Sequence, residues 1–253
     1  MPPLEFAWRL AATGAAFAFI FAGGGLLAVT VLPVLALLPG HSRARTQRLI
    51  YLTFRFYIGM LQILGLLRLD LEGAEKLRAP GGRLIVANHP SLLDVVLLMA
   101  RIPKAQCVVK HELWTHPFLG PLMRRAGYIR NDLEPEEMIA ACQAALRAGD
   151  SLIIFPEGTR SLPGSPLRFR RGFANVATLI GAPIQPVLIT CDPPTLTKGE
   201  SWWRIPRQRP VFRLRVDDCI DTGSYLSHRC RSIAARKLVD DLQKYYSEQL
   251  SYV

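Results

Sequence analysis

Two short segments of this 253-residue chain combine side-chain types that do acid–base chemistry. The first runs from Asn88 to Asp94, reading Asn-His-Pro-Ser-Leu-Leu-Asp. His89 is a proton acceptor near neutral pH, and a carboxylate beside it fixes its tautomer and orientation. The second runs from Phe155 to Ser161, reading Phe-Pro-Glu-Gly-Thr-Arg-Ser, and supplies an arginine able to hold a phosphate through a bidentate fork. His89 and Asp94 are five positions apart, about 140° around a regular helix, so they do not share a helical face. They meet if His89 precedes a helix and Asp94 lies in its second turn, with Pro90 at the first helical position. The helix start would then offer N–H donors to a developing oxyanion.

These segments need elements that position them. Each follows an apolar run, Leu84–Ala87 or Ser151–Phe155, that reads as a buried strand. Further strands are predicted at Leu67–Glu72, Gln106–Val109, Ile184–Ile189 and Phe212–Val216. Helices are predicted at Ser91–Ala100, Pro117–Ala126, Pro135–Ala148, Phe173–Ile180 and Arg231–Leu250. The alternation implies an α/β fold with a central, mostly parallel mixed sheet flanked by helices. Ligands of such sheets sit beyond the carboxyl ends of strands, where both segments fall.

The N-terminus adds a membrane element. No ionisable side chain occurs from Leu10 through Gly40, and roughly 20 apolar residues suffice to cross a hydrocarbon core. Gly23-Gly24-Gly25 and Pro33 permit a bent, monotopic insertion instead of a span. A cleaved signal peptide is disfavoured by the length of the run and by Glu5 in the leader; a buried soluble helix is the plain alternative. Arg43, Arg45 and Arg48 follow the run, which by the positive-inside bias puts the bulk of the chain on the cytoplasmic face of the inner (plasma) membrane. Two helices, Leu10–Leu38 and Thr46–Leu67, are expected to hold the membrane, the second equally able to pack on the globular part. The division is then 1–66, membrane-associated helices, and 67–253, a catalytic domain.

The net charge of +11, from 31 Lys+Arg against 20 Asp+Glu, favours an anionic partner. The apolar N-terminus selects a phospholipid membrane over nucleic acid, for which no module is recognisable. The loop Thr195–Pro210, with Trp202, Trp203, Arg204, Arg207 and Arg209, reads either as a solvated basic excursion or as a loop leaning on anionic headgroups. Cys107, Cys142, Cys191, Cys219 and Cys230 are scattered, without C-x-x-C, so neither a disulfide framework nor a metal site is expected. His111 and His116 lack a carboxylate at a telling spacing and read as structural. Arg168, Arg170 and Arg171 read equally as a solvated face or an acyl-donor or phosphate site.

His89-x-x-x-x-Asp94 after Asn88, together with the whole block Phe155–Ser161, resembles the lysophosphatidic acid acyltransferase (1-acylglycerol-3-phosphate acyltransferase) family. Pro186-Val187 in a strand and Arg170-Arg171-Gly172 before a helix fit as well, and the resemblance covers about Leu67 to Val216. It implies direct transfer from an acyl thioester, acyl-CoA or acyl-ACP, to a lysophospholipid hydroxyl, with no cofactor. His89 would be the general base and Asp94 its partner. Glu157, Gly158, Thr159 and Arg160 would bind the acceptor, Glu157 at its polar backbone and Arg160 at its phosphate. Gly158 would let backbone N–H groups approach. One block departs from the pattern: it is compressed to Gly127-Tyr128-Ile129-Arg130, with Arg130 the candidate arginine. The acceptor therefore stays open between 1-acylglycerol-3-phosphate and another lipid such as a lyso-ornithine lipid. A serine esterase lacks its G-x-S-x-G elbow here. A non-catalytic membrane-anchored lipid-binding protein would leave the His–Asp pair without a role.

Overall fold

A computed structural model describes residues 3–37, 42–162, 164–226 and 230–251. Two long helices come first, α1 (Pro3–Leu37) and α2 (Ser42–Ile63). Residue Leu38, the expected end of the first helix, lies outside the described residues, as do 39–41. The sheet strands are β1 (Arg68–Glu72), β2 (Leu84–Ala87), β3 (Ala105–Val109), β4 (Ile129–Arg130), β5 (Ser151–Ile154), β6 (Ile184–Asp192) and β7 (Val211–Val216). Between them lie α3 (Asp94–Met99), α4 (His111–Trp114), α5 (Gly120–Ala126), α6 (Pro135–Arg147) and α7 (Gly172–Ile180); α8 (Gly223–Leu226) and α9 (Arg231–Ser251) close the chain. The order across the sheet is β1-β7-β6-β2-β5-β3-β4, and only β6 and β7 pair antiparallel.

The apolar strands read as continuous runs because helices cover both faces. Ile85 and Ala87 of β2 point into a core built with α1, α2, α3 and α5; Leu84 and Val86 point into the opposite core, built with α6, α7 and α9. All four are fully buried. The carboxyl ends of β2 and β5, side by side in register from Leu84↔Leu152 to Val86↔Ile154, thus open at one sheet edge.

The helical pair belongs to the first core. α2 buries Ile50, Tyr57, Ile58 and Leu61, and packs on α3 and α5. Its start is tied down by Asp150, which accepts hydrogen bonds from Arg43, Gln47 (3.2 Å) and Gln106 (2.9 Å). α1 lies along the surface of this layer on a stripe of small residues. Ala12, Ala16 and Ala28 are buried, and Gly24 sits against Leu119. Its outer side exposes Phe19, Phe21, Leu26 and Val29. Residues Pro3–Val31 are long and apolar enough to cross a membrane, with mean hydropathy 2.0.

Several elements differ from expectation. The helix after His89 starts at Asp94, not Ser91: the Asp94 carboxylate turns back to accept from Ser91 N (2.7 Å), and Leu92 N donates to Leu196 O (3.1 Å), so residues 91–93 form a turn. Pro90 therefore lies in a turn. The helix expected from Pro117 starts at Gly120, preceded by α4. The edge strand β4 holds two residues, too few for any periodicity to reveal.

Candidate active site

His89 leaves the end of β2 and turns its ring under the start of α3. Its Nδ1 lies 2.8 Å from Asp94 Oδ2. The ring stacks on Phe155 at the end of β5, centroids 4.1 Å apart. One nitrogen is thus held, and among the described residues Nε2 has no hydrogen-bond partner. With Nδ1–H donated to Asp94, Nε2 carries the ring's lone pair, on a side chain 15% exposed. Asp94 is completely buried, and its Oδ1 has no partner. Burial pushes its carboxyl up to about 6, against the opposing pull of His89 and of the Ser91 amide. A carboxylate so poorly solvated depends on its hydrogen bonds with the imidazole and the Ser91 amide to carry charge.

The second segment grips the His89 backbone from both sides. Glu157 Oε1 accepts from His89 N (2.9 Å), and Ser161 N donates to His89 O (2.8 Å). Ser161 Oγ donates to the other Glu157 oxygen, which closes the clamp. Glu157 is buried, whereas Gly158 and Thr159 are exposed on the loop crest. Gly158 has φ +69°, a left-handed conformation suited to glycine, and the Arg170 side chain passes close over it.

Arg160 is not paired with Glu157 among the described residues. Its Nη1 donates to Leu196 O (2.8 Å) and Thr197 O (2.9 Å). The loop it meets forms a strap across both segments. Ser91 Oγ donates to Thr195 O (3.0 Å), and Leu92 N to Leu196 O. Leu196 takes φ +54°, unusual for a side chain of its kind, and its carbonyl serves both Arg160 and Leu92. Farther along, Trp202 packs on Phe17 and Gly14 of α1, and Arg9 donates to the carbonyls of Arg207 and Gln208 (both 3.2 Å). The basic, tryptophan-rich loop is therefore neither a free excursion nor a detached surface loop: it joins α1 to the catalytic segments, while Trp203 stays more than half exposed. No sequence signal announces this strap, because its contribution is backbone carbonyls.

Arg130 reaches the same sheet edge, at the end of β4, but three strands away from β2. At a strand spacing of about 4.8 Å that is roughly 14 Å. It is paired with Asp132 through two bonds, one of 2.9 Å, and Asp132 also meets His111 Nδ1 at 2.9 Å. The hydrogen bond from Arg130 is the main cause that lowers the Asp132 carboxyl to about 2. His111 thus has a carboxylate partner after all, brought by the edge strand. The helix start, expected to offer N–H donors, has the Ser91 and Leu92 amides engaged by Asp94 and Leu196 O.

Beside the His–Asp pair, an apolar cleft of ≈ 270 Å³ opens between α1, α2, α3 and α5. Leu92 and Leu93, the residues inside the motif, line it with Met99 and Tyr128, and Thr53 and Phe54 line it from α2. Among the described residues no group of three or more metal-ligating side chains occurs.

Residues 68–190 match the family model described as Acyltransferase. A 1-acyl-sn-glycerol-3-phosphate acyltransferase of Helicobacter pylori is 37% identical over 115 residues, 43% of this chain and 48% of that protein. One from Cocos nucifera is 37% identical over 111 residues, 42% of this chain and 36% of that protein. For these two, the chain spans less than half of the relative's length. The alpha form from Bos taurus is 29% identical over 207 residues, 76% of this chain and 69% of that protein. The crystal structure of the 1-acyl-sn-glycerophosphate acyltransferase PlsC from Thermotoga maritima shares the fold, with a TM-score of 0.76 over 98% of both chains at 22% identity. The match marks residues 68–190 as an acyltransferase domain, carried on the fold just described. Within that segment, the chain is similar to proteins named 1-acyl-sn-glycerol-3-phosphate acyltransferase.

Proposed function

We propose that this protein transfers an acyl chain from an acyl thioester, acyl-CoA or acyl-ACP, to the hydroxyl of a lysophospholipid. The acceptor read first is 1-acylglycerol-3-phosphate, giving phosphatidic acid. The observation that carries this is the His89 ring, fixed at Nδ1 by Asp94 and open at Nε2. Nε2 takes the hydroxyl proton as that oxygen attacks the thioester carbonyl. The carbon–oxygen bond forms, the carbon–sulfur bond breaks, and the proton passes to the departing thiolate. No acyl-enzyme forms, because the substrate oxygen is itself the nucleophile. Asp94 stabilises the transient imidazolium. Glu157, with Ser161, holds the His89 backbone and so positions the base; the exposed Gly158 and Thr159 lie where an acceptor headgroup would approach. The cleft lined by Leu92 and Leu93 takes an acyl chain, and the exposed side of α1 rests on the membrane from its cytoplasmic face.

Other lipid acceptors stay in view on one observation: Arg160 Nη1 is bound to the strap and Arg130 to Asp132, so neither arginine has its full fork free for phosphate. A single assay separates the readings. Purified protein in vesicles is given acyl-CoA or acyl-ACP and either lysophosphatidate or a phosphate-free monoacyl lipid. Wild type is expected to acylate lysophosphatidate and His89→Ala to lose this by about 10³-fold or more. Retained His89→Ala turnover would end the general-base role. Preference for the phosphate-free acceptor would move the function to the second reading.

A further inference from the structure

The arginines first matched to a phosphate are both engaged within the protein: Arg160 Nη1 by Leu196 O and Thr197 O, and Arg130 by Asp132. Another arginine stands at the same loop. Burial alternates along residues 167–170: Leu167 and Phe169 pack into the core of α6, α7 and α9, while Arg168 and Arg170 are exposed. The backbone here is anchored. Phe169 meets Phe173 (6.2 Å) and Tyr246 (5.3 Å) edge-on, and its N donates to Gln243 Oε1 (2.8 Å). Arg170 N donates to Pro156 O (2.7 Å), which ties the segment to the loop carrying Glu157.

The Arg170 side chain lies against Gly158. A Cβ there would stand 3.0 Å from Arg170 Nε and 3.1 Å from its Cδ, so a bare glycine leaves room for the guanidinium stem. The same loop encloses the base, through Glu157 at His89 N and Ser161 at His89 O. Among the described residues, the Arg170 guanidinium makes no hydrogen bond or ion pair, and neither do the exposed Arg168 and Arg171 side chains. Three cations within four positions repel one another, and an anion between them relieves this.

We propose that Arg170, seated on Gly158, binds the phosphate of the acceptor lipid through its free fork, with Arg168 and Arg171 adding to the local positive field. This rests on 1-acylglycerol-3-phosphate being the acceptor. In that lipid the phosphate is carried by the carbon next to the one bearing the reacting hydroxyl. In either acyl donor, phosphate lies at the far end of the pantetheine arm from the thioester. A cation on the loop around His89 therefore suits the acceptor.

The test compares Arg170→Ala, Arg170→Lys and Arg147→Ala with wild type, as full-length protein in vesicles. It measures kcat, the melting temperature, and separate KM values for lysophosphatidate and for the acyl thioester. Arg147 is the control for lost surface charge: it is exposed at the end of α6, where the chain enters β5 from the opposite sheet edge. Losing a charge-assisted pair is expected to raise the lysophosphatidate KM of Arg170→Ala by about 10- to 100-fold. Arg170→Lys should lose less, and Arg147→Ala should match wild type. The thioester KM, kcat and melting temperature should hold throughout. A rise confined to the thioester KM would assign Arg170 to the donor and overturn the proposal. So would unchanged KM values, or a loss accompanied by a lower melting temperature. Wild type that leaves lysophosphatidate unacylated overturns the acceptor reading and this role together, a failure visible before any variant is made.

Discussion

At the scale of single residues, the site is a contest between solvation and pairing at Asp94. The carboxylate has given up water entirely and receives two hydrogen bonds, from His89 and Ser91, with one oxygen unpartnered. Its raised proton affinity, about 6 against an ordinary 3.8, has a definite sign for stability. The folded chain keeps a proton that the unfolded chain would release, so this contribution is present below the ordinary value and is lost as pH rises through about 6. Activity runs the other way, since the dyad needs the carboxylate ionised. The ratio kcat/KM is therefore expected to fall as pH drops through about 6, as a property of the coupled pair. Asp94→Asn separates the two effects. It removes the buried charge and leaves an acceptor for Ser91 N, but it no longer enforces the tautomer. Activity should drop by about 10⁴-fold while the melting temperature at pH 7 is not lowered. A variant that melts lower and works normally would remove Asp94 from the mechanism.

At the scale of elements, α1 and α2 pack together over the sheet. They roof the apolar cleft whose opposite wall is Leu92 and Leu93, so an acyl chain and a membrane would share one layer of side chains. Thr53 faces this cleft from α2. Thr53→Trp fills part of it, and each methylene then excluded loses about 0.8 kcal/mol of burial. The profile of kcat/KM against acyl length is expected to move toward shorter chains, with short-chain turnover preserved. An unaltered profile would mean that the chain lies elsewhere. The same roof explains why the second helix is less apolar outside than its composition suggests: Ile50, Tyr57, Ile58 and Leu61 are turned inward, and Leu52, Phe56 and Ile63 outward.

At the scale of the whole molecule, an apolar helix surface and a net charge of +11 act together. Apolar contact is insensitive to salt, whereas attraction of cations to anionic headgroups is screened within about 10 Å at 0.1 M salt. Vesicle sedimentation should thus show tighter binding to anionic than to neutral lipid, with the difference shrinking as salt rises from 50 mM to 1 M. Binding to neutral vesicles should persist throughout. Complete release by salt would show that α1 contributes no insertion.

How far the chain alone carried these conclusions differs by contact range. The strand-end placement of His89 and Phe155–Ser161, the two-faced sheet and the long apolar helix were legible, because periodicity and run length report how each short segment is buried. The strap, the edge strand and the start of α3 were not. Leu196 meets Arg160 and Leu92 through a carbonyl, which every residue type carries. Arg130 was expected near a substrate phosphate, yet a two-residue strand delivers it to Asp132. Helix α3 starts late, after a turn in which Asp94 accepts from Ser91 N and a loop about a hundred positions away accepts from Leu92 N, a contact no local pattern contains. Residue type and short-range pattern sufficed to mark the candidate side chains, most strands and helices, and the long apolar segment, since each follows from local composition and period. Only the tertiary structure decided what each of them touches. Pairs such as Asn88 with Ile189 and Tyr246 with Val86, 101 and 160 positions apart, come together through the order of strands in the sheet.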